Sequence, residues 1–69
     1  MKNKKIQNLT PRQQDVFELI LEGKNNIQIG QKLGITTGTA KLQSNTVLKK
    51  LGCHSKNEVL YKYLTKTKG

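Results

Sequence analysis

Only four acids, one proline, one histidine and one cysteine occur in 69 residues, and each scarcity excludes something. A lone Cys53 forbids an intrachain disulfide and suits a reducing compartment. Cys53 and His54 are adjacent, but two ligands fall short of the three or four that zinc needs, so no metal is expected. There is no second histidine, no pair of carboxylates in one site and no glycine-rich phosphate loop, so neither catalysis nor a cofactor is expected. No apolar run approaches membrane-spanning length. The basic start Met1-Lys2-Asn3-Lys4-Lys5 leads into Ile6-Gln7-Asn8 rather than a signal-peptide apolar block. The expectation is a soluble, cytoplasmic protein of one small domain, with a core too small to enclose a substrate pocket.

Basic charge is plentiful. The formal net charge is +9 and the sequence pI is about 10.0, which favours a polyanionic partner. Three of the acids, Asp15, Glu18 and Glu22, share one segment, and the fourth is Glu58. Between Gly23 and Asn57 there is no acid, whereas Lys24, Lys32, Lys41, Lys49, Lys50 and Lys56 all lie there. A solvated lysine-rich surface would give the same total, but not a long acid-free stretch coinciding with the motif below.

Local signals predict four helices. Thr10-Pro11-Arg12-Gln13 combines an N-cap, a proline suited to the first helical position and a glutamine that closes a capping box. The first helix is expected from Pro11 to Glu22, with Val16, Phe17, Leu19, Ile20 and Leu21 as its apolar face and Gly23 as its end. Asn25 and Gln28 make a second box, opening a helix whose Ile29 and Leu33 face inward. Ile27 is expected to be exposed, and Gly30 to mark close approach by another helix. Gly34 suits the left-handed turn after a helix, Ile35 plugs the turn, and Thr36 caps a third helix with Thr39 three residues on. That helix is expected over 37–51. At about 100° per residue, Ala40, Ser44, Val47 and Leu51 fall on one stripe, with Leu48 beside it. Lys41, Leu42, Asn45, Thr46 and Lys49 occupy the opposite face. After Gly52, Ser55 and Glu58 form the signal for a last helix, rich in Val59, Leu60, Tyr61, Tyr63 and Leu64. Residues 1–8 are expected to form a flexible basic arm, 9–64 the folded domain, and 65–69 a frayed basic tail.

A helix, a tight turn and a second helix with polar and basic groups outward is an arrangement that enters a DNA major groove. The candidate base contacts are Lys41, Leu42 and Asn45, since lysine suits guanine, asparagine suits adenine and an apolar group suits the thymine methyl. The candidate phosphate contacts are Lys24, Lys49, Lys50 and Lys56, with Thr36, Thr37 and Thr39 at the helix start and Thr46 on the outer face. One such domain offers a small interface, so high specificity calls for a symmetric pair.

These residues resemble the LuxR/GerE-type DNA-binding domain of bacterial regulators. Leu9-Thr10-Pro11-Arg12 opens the likeness. Glu22-Gly23, Asn25-Asn26, Ile29 and Leu33-Gly34-Ile35 continue it. Gly38-Thr39 with Lys41, Lys50-Leu51-Gly52, Ser55 and Glu58-Val59 complete it. The related sigma-factor region 4 shares the early pattern, but the Lys50-Leu51-Gly52 ending with Ser55 and Glu58 fits the LuxR/GerE type better. The resemblance covers Leu9 to Leu64. It implies an all-α four-helix bundle, the third helix as recognition helix, and dimerisation on DNA through the fourth, with Val59, Leu60, Tyr63 and Leu64 as candidate contacts. The chain is similar to stand-alone members without a sensory or receiver domain, associated with the bacterial nucleoid when bound. It departs from the family's valine, lysine, small or polar residue and histidine after Gly38-Thr39, having Ala40, Lys41, Leu42 and Gln43. Ala40 leaves less volume in the core, and Leu42 and Asn45 put the target sequence beyond what the family implies. The alternatives are an anti-activator or adaptor that uses the same fold to bind another regulator or RNA polymerase, and a nonspecific nucleoid binder. Membrane binding is disfavoured because no helix sets lysines against a large apolar face.

Overall fold

The computed structural model describes residues 8–64. Four helices are found there: α1 (Pro11–Leu21), α2 (Asn26–Leu33), α3 (Thr37–Leu51) and α4 (Lys56–Leu64). The described residues are all-helical. The tail expected at 65–69, and all of the expected arm except Asn8, lie outside the described residues.

The helix starts follow from side chains three residues apart. Thr10 Oγ1 accepts from Gln13 N, and Gln13 Oε1 accepts from Thr10 N, both at 3.1 Å. Asn25 and Gln28 repeat this reciprocal arrangement at 2.8 and 2.9 Å. Each cap satisfies amides that the first helical turn leaves without carbonyl partners. Gly34 and Gly52, at φ 71° and 72°, end α2 and α3 in the left-handed region. The next amides, of Ile35 and Cys53, turn back to Gly30 O and Leu48 O, both at 2.9 Å, which is the Schellman closure.

At α4 the expected box forms differently. Ser55 Oγ accepts from Glu58 N at 3.2 Å, but the Glu58 carboxylate reaches one residue further back, accepting from His54 N at 2.6 Å. This hydrogen bond is the main reason the Glu58 carboxyl is held below its ordinary value of 4.5. A depressed folded-state pKa contributes stability that is present above the unfolded value and is lost as pH falls through the folded one. The melting-temperature advantage of the wild type over Glu58→Gln is therefore expected to hold above pH 4.5 and to shrink below it. An advantage independent of pH across that range would remove the carboxylate from the explanation.

The core takes Val16, Phe17, Leu19 and Ile20 from α1, Ile29 from α2, Ala40, Val47 and Leu51 from α3, Cys53 from the following loop and Val59 from α4. α1 packs on α3 and α4, and α2 packs on α3. Phe17 meets Tyr63 edge to face, with ring centroids 5.3 Å apart and planes at 85°, a favoured aromatic geometry. Arg12 Nη1 donates to Leu33 O at 3.4 Å, so the first turn of α1 closes the last turn of α2.

Gly30 is needed for a different reason from the one its position in a helix suggests. A Cβ there would lie 2.7 Å from Ile35 O. That nearest atom belongs to the turn, and the next two to Thr36, the cap of α3. The chain doubles back after Gly34, and the backbone of the turn itself occupies the space a side chain would take.

Candidate nucleic-acid interface

α3 has two distinct faces. Ala40, Ser44, Val47 and Leu51 are buried, while Lys41, Leu42, Asn45 and Lys49 are exposed and Thr46 is half-buried. Leu42 is 66% exposed. At about 100° per residue, Lys41, Leu42, Asn45 and Lys49 lie within one sector of the helix. All three candidate base-reading residues therefore share an open face.

The start of α3 is held by Thr36, whose Oγ1 accepts from Thr39 N and donates to Thr39 Oγ1, both at 3.0 Å. Helix geometry leaves the Thr37 and Gly38 amides without an intrahelical acceptor, and the helix dipole makes that end favourable to an anion. The Thr36 hydroxyl proton is engaged on Thr39 Oγ1, so this end offers a phosphate the backbone N–H groups together with the exposed hydroxyls of Thr37 and Thr39.

The other candidate phosphate contacts differ in availability. Among the described residues Lys41 and Lys49 have no internal partner. Lys24 is half-buried and lines an open groove with Gln28, Gln31 and Lys32. Lys50 Nζ donates to Asn8 O at 3.2 Å and Gln13 Oε1 at 2.9 Å, tying α3 to the start of α1. Lys56 Nζ donates to Asn26 Oδ1 at 2.8 Å, and burial pulls its pKa below the usual lysine value. Thr46 Oγ1 donates to Leu42 O at 3.0 Å, so its proton is already engaged within the helix.

The four apolar residues expected to pair copies of α4 separate. Val59 is 0% exposed and belongs to the core. It cannot meet a second chain, because α4 must bury that side to pack against the bundle. Tyr63 is half-buried on Phe17, Leu60 is half-buried, and Leu64 is exposed. Ile27, expected to be exposed, is 56% exposed.

Asn26 joins α2 to α3 and α4 through contacts that the sequence reading did not assign to it. Its Oδ1 accepts from both Ser44 Oγ and Lys56 Nζ. The available signal was Ser44, a lone hydroxyl on an otherwise apolar stripe that needs a partner when buried.

Residues 7–62 match the family model described as bacterial regulatory proteins, luxR family. Among similar proteins, the transcriptional regulatory protein MctR of Rhizobium johnstonii is 46% identical over 44 residues, which is 64% of this chain and 21% of that protein. The two-component response regulator PprB of Pseudomonas aeruginosa is 41% identical over 51 residues, 74% of this chain and 18% of that protein. The nitrate/nitrite response regulator protein NarL of Escherichia coli is 38% identical over 53 residues, 77% of this chain and 24% of that protein. The aligned segments thus span roughly a fifth to a quarter of these relatives' length.

Proposed function

Since the chain belongs to the luxR family of bacterial regulatory proteins, we propose that it is a sequence-specific, double-stranded-DNA-binding transcription regulator that inserts α3 into the major groove. The observation that carries this reading is the open face of α3. Lys41, Leu42 and Asn45 stand exposed there, on a helix whose other side is buried, so their chemistry is free for base edges. Lysine donates to guanine O6 and N7, asparagine pairs with adenine, and Leu42 meets a thymine methyl. Phosphate neutralisation by Lys24 and Lys49, with the amides at the start of α3, supplies affinity and register. Lys50 and Lys56 serve the fold first.

Two copies joined through α4, by Leu60, Leu64 and the open edge of Tyr63, present two recognition helices one DNA turn apart to a roughly palindromic site. Regulation takes place in the cytoplasm, at the nucleoid. A second reading, docking to RNA polymerase or another regulator, draws on the exposure of Ile27 and Leu42.

The test compares Asn45→Ala and Lys49→Ala by fluorescence anisotropy on a bound duplex and on its single-base variants. Asn45→Ala should remove about 1–3 kcal/mol of discrimination at one base pair and leave the others unchanged. Lys49→Ala should weaken every duplex alike and flatten the slope of log K against log salt by about 1.8 for the dimer, about 0.9 for each copy. A uniform loss for Asn45→Ala would sink its assignment as a base reader.

A further inference from the structure

Three helices meet at one oxygen atom. Asn26, the first residue of α2, accepts on Oδ1 from Ser44 Oγ of α3 at 3.0 Å and from Lys56 Nζ at the start of α4 at 2.8 Å. Ser44 is 1% exposed, so its hydroxyl has little recourse to water and is held to this acceptor. Ser44 directly precedes Asn45 and follows Lys41 by three residues on the same helix.

We infer that Asn26 is a positioning residue for DNA reading: through Ser44 it sets the rotation of α3 about its own axis, and through Lys56 it ties that rotation to α4. The inference rests on the proposal that α3 enters the major groove. A side-chain tip stands roughly 6 Å from a helix axis, so a turn of about 10° moves it by about 1 Å. That displacement spans the distance window of a hydrogen bond. Base contacts by Asn45 and Lys41 are therefore sensitive to the rotation, whereas flexible lysines adjust to phosphates from a range of positions. Loss of Asn26 should erase discrimination between sequences and spare general affinity. Lys56 acts here as a tether between helices, with its charge held on the Asn26 oxygen.

The experiment measures anisotropy of Asn26→Ala, Asn26→Asp and Ser44→Ala on a selected duplex and on a scrambled one at a single salt concentration, with the folded fraction followed by circular dichroism. For Asn26→Ala the preference for the selected duplex should fall about fivefold to tenfold, the scale of one lost hydrogen bond. Affinity for the scrambled duplex should change by less than about twofold, because phosphate contact is unaffected. Asn26→Asp keeps the shared acceptor, adds charge opposite Lys56 and suits the first turn of a helix, so it should retain the preference. Ser44→Ala removes only the α3 arm and should lower the preference in the same direction, which keeps the inference testable if Asn26→Ala does not fold. An unchanged preference in Asn26→Ala or Ser44→Ala would overturn the inference. So would an equal loss on both duplexes that follows the folded fraction. A wild type without any preference overturns the major-groove proposal itself, which is a distinguishable outcome.

Discussion

Gly30→Val should leave the domain largely unfolded at 37 °C. The Cβ of any side chain at position 30 would lie 2.7 Å from Ile35 O, a backbone atom. That carbonyl cannot swing aside like a side-chain end, because Ile35 N is bonded back to Gly30 O at 2.9 Å. Alanine regains about 1 kcal/mol of helix propensity against the displacement of the turn. Valine adds two further methyl groups where the turn already sits, and overpacking of this kind costs about 1–3 kcal/mol or more. A core of this size supplies only about 3–5 kcal/mol in total, so the loss is comparable with the whole stability. Circular dichroism in a urea titration gives the answer. A Gly30→Val protein as stable as the wild type would show that the turn is free to move, and the fixed disposition of α2 and α3 would go with it.

Binding to a duplex should be lost steeply with salt. A dimer that neutralises about four phosphates, with Lys24 and Lys49 of each copy, has a slope of log K against log salt near −3.6, so affinity should fall about 10²-fold between about 50 and 200 mM salt. The net charge of +9 alone requires some salt dependence. What the interface adds is its size, set by Lys24 and Lys49 on each copy; the amides of Thr37 and Gly38 hold a phosphate without adding charge to the slope. A slope near −1 would mean that these groups do not lie on the backbone. It would favour docking through Leu42 and Ile27 to a protein partner, since apolar burial is little affected by moderate salt.

The parts of this structure legible in the sequence are those written locally. The Thr10–Gln13 and Asn25–Gln28 boxes and the Thr36 cap each join residues three positions apart, so spacing alone reveals them. The stripe Ala40, Ser44, Val47 and Leu51 is local in the same sense, and all four are buried. What escaped was set by tertiary contact. Asn26 meets partners 18 and 30 residues away, and nothing in its own neighbourhood announces them. Gly30 carried a correct signal of close approach, but the approaching atom belongs to the turn after the helix and not to another helix. In α4 the apolar residues occupy more than one side, so periodicity cannot assign Val59 to the core and leave Leu64 outside. The Glu58 carboxylate, expected on the Ser55 amide by its spacing, bonds that of His54.

The most direct measurement is selection of bound DNA from a random duplex pool at physiological salt, followed by sequencing of what is retained. Enrichment of a two-fold symmetric motif, with half-sites about one helical turn apart, is the expected result, and it would supply the target sequence with it. Retention of duplexes without any shared motif would contradict base reading by Lys41, Leu42 and Asn45, and no retention at all would contradict DNA binding by this chain.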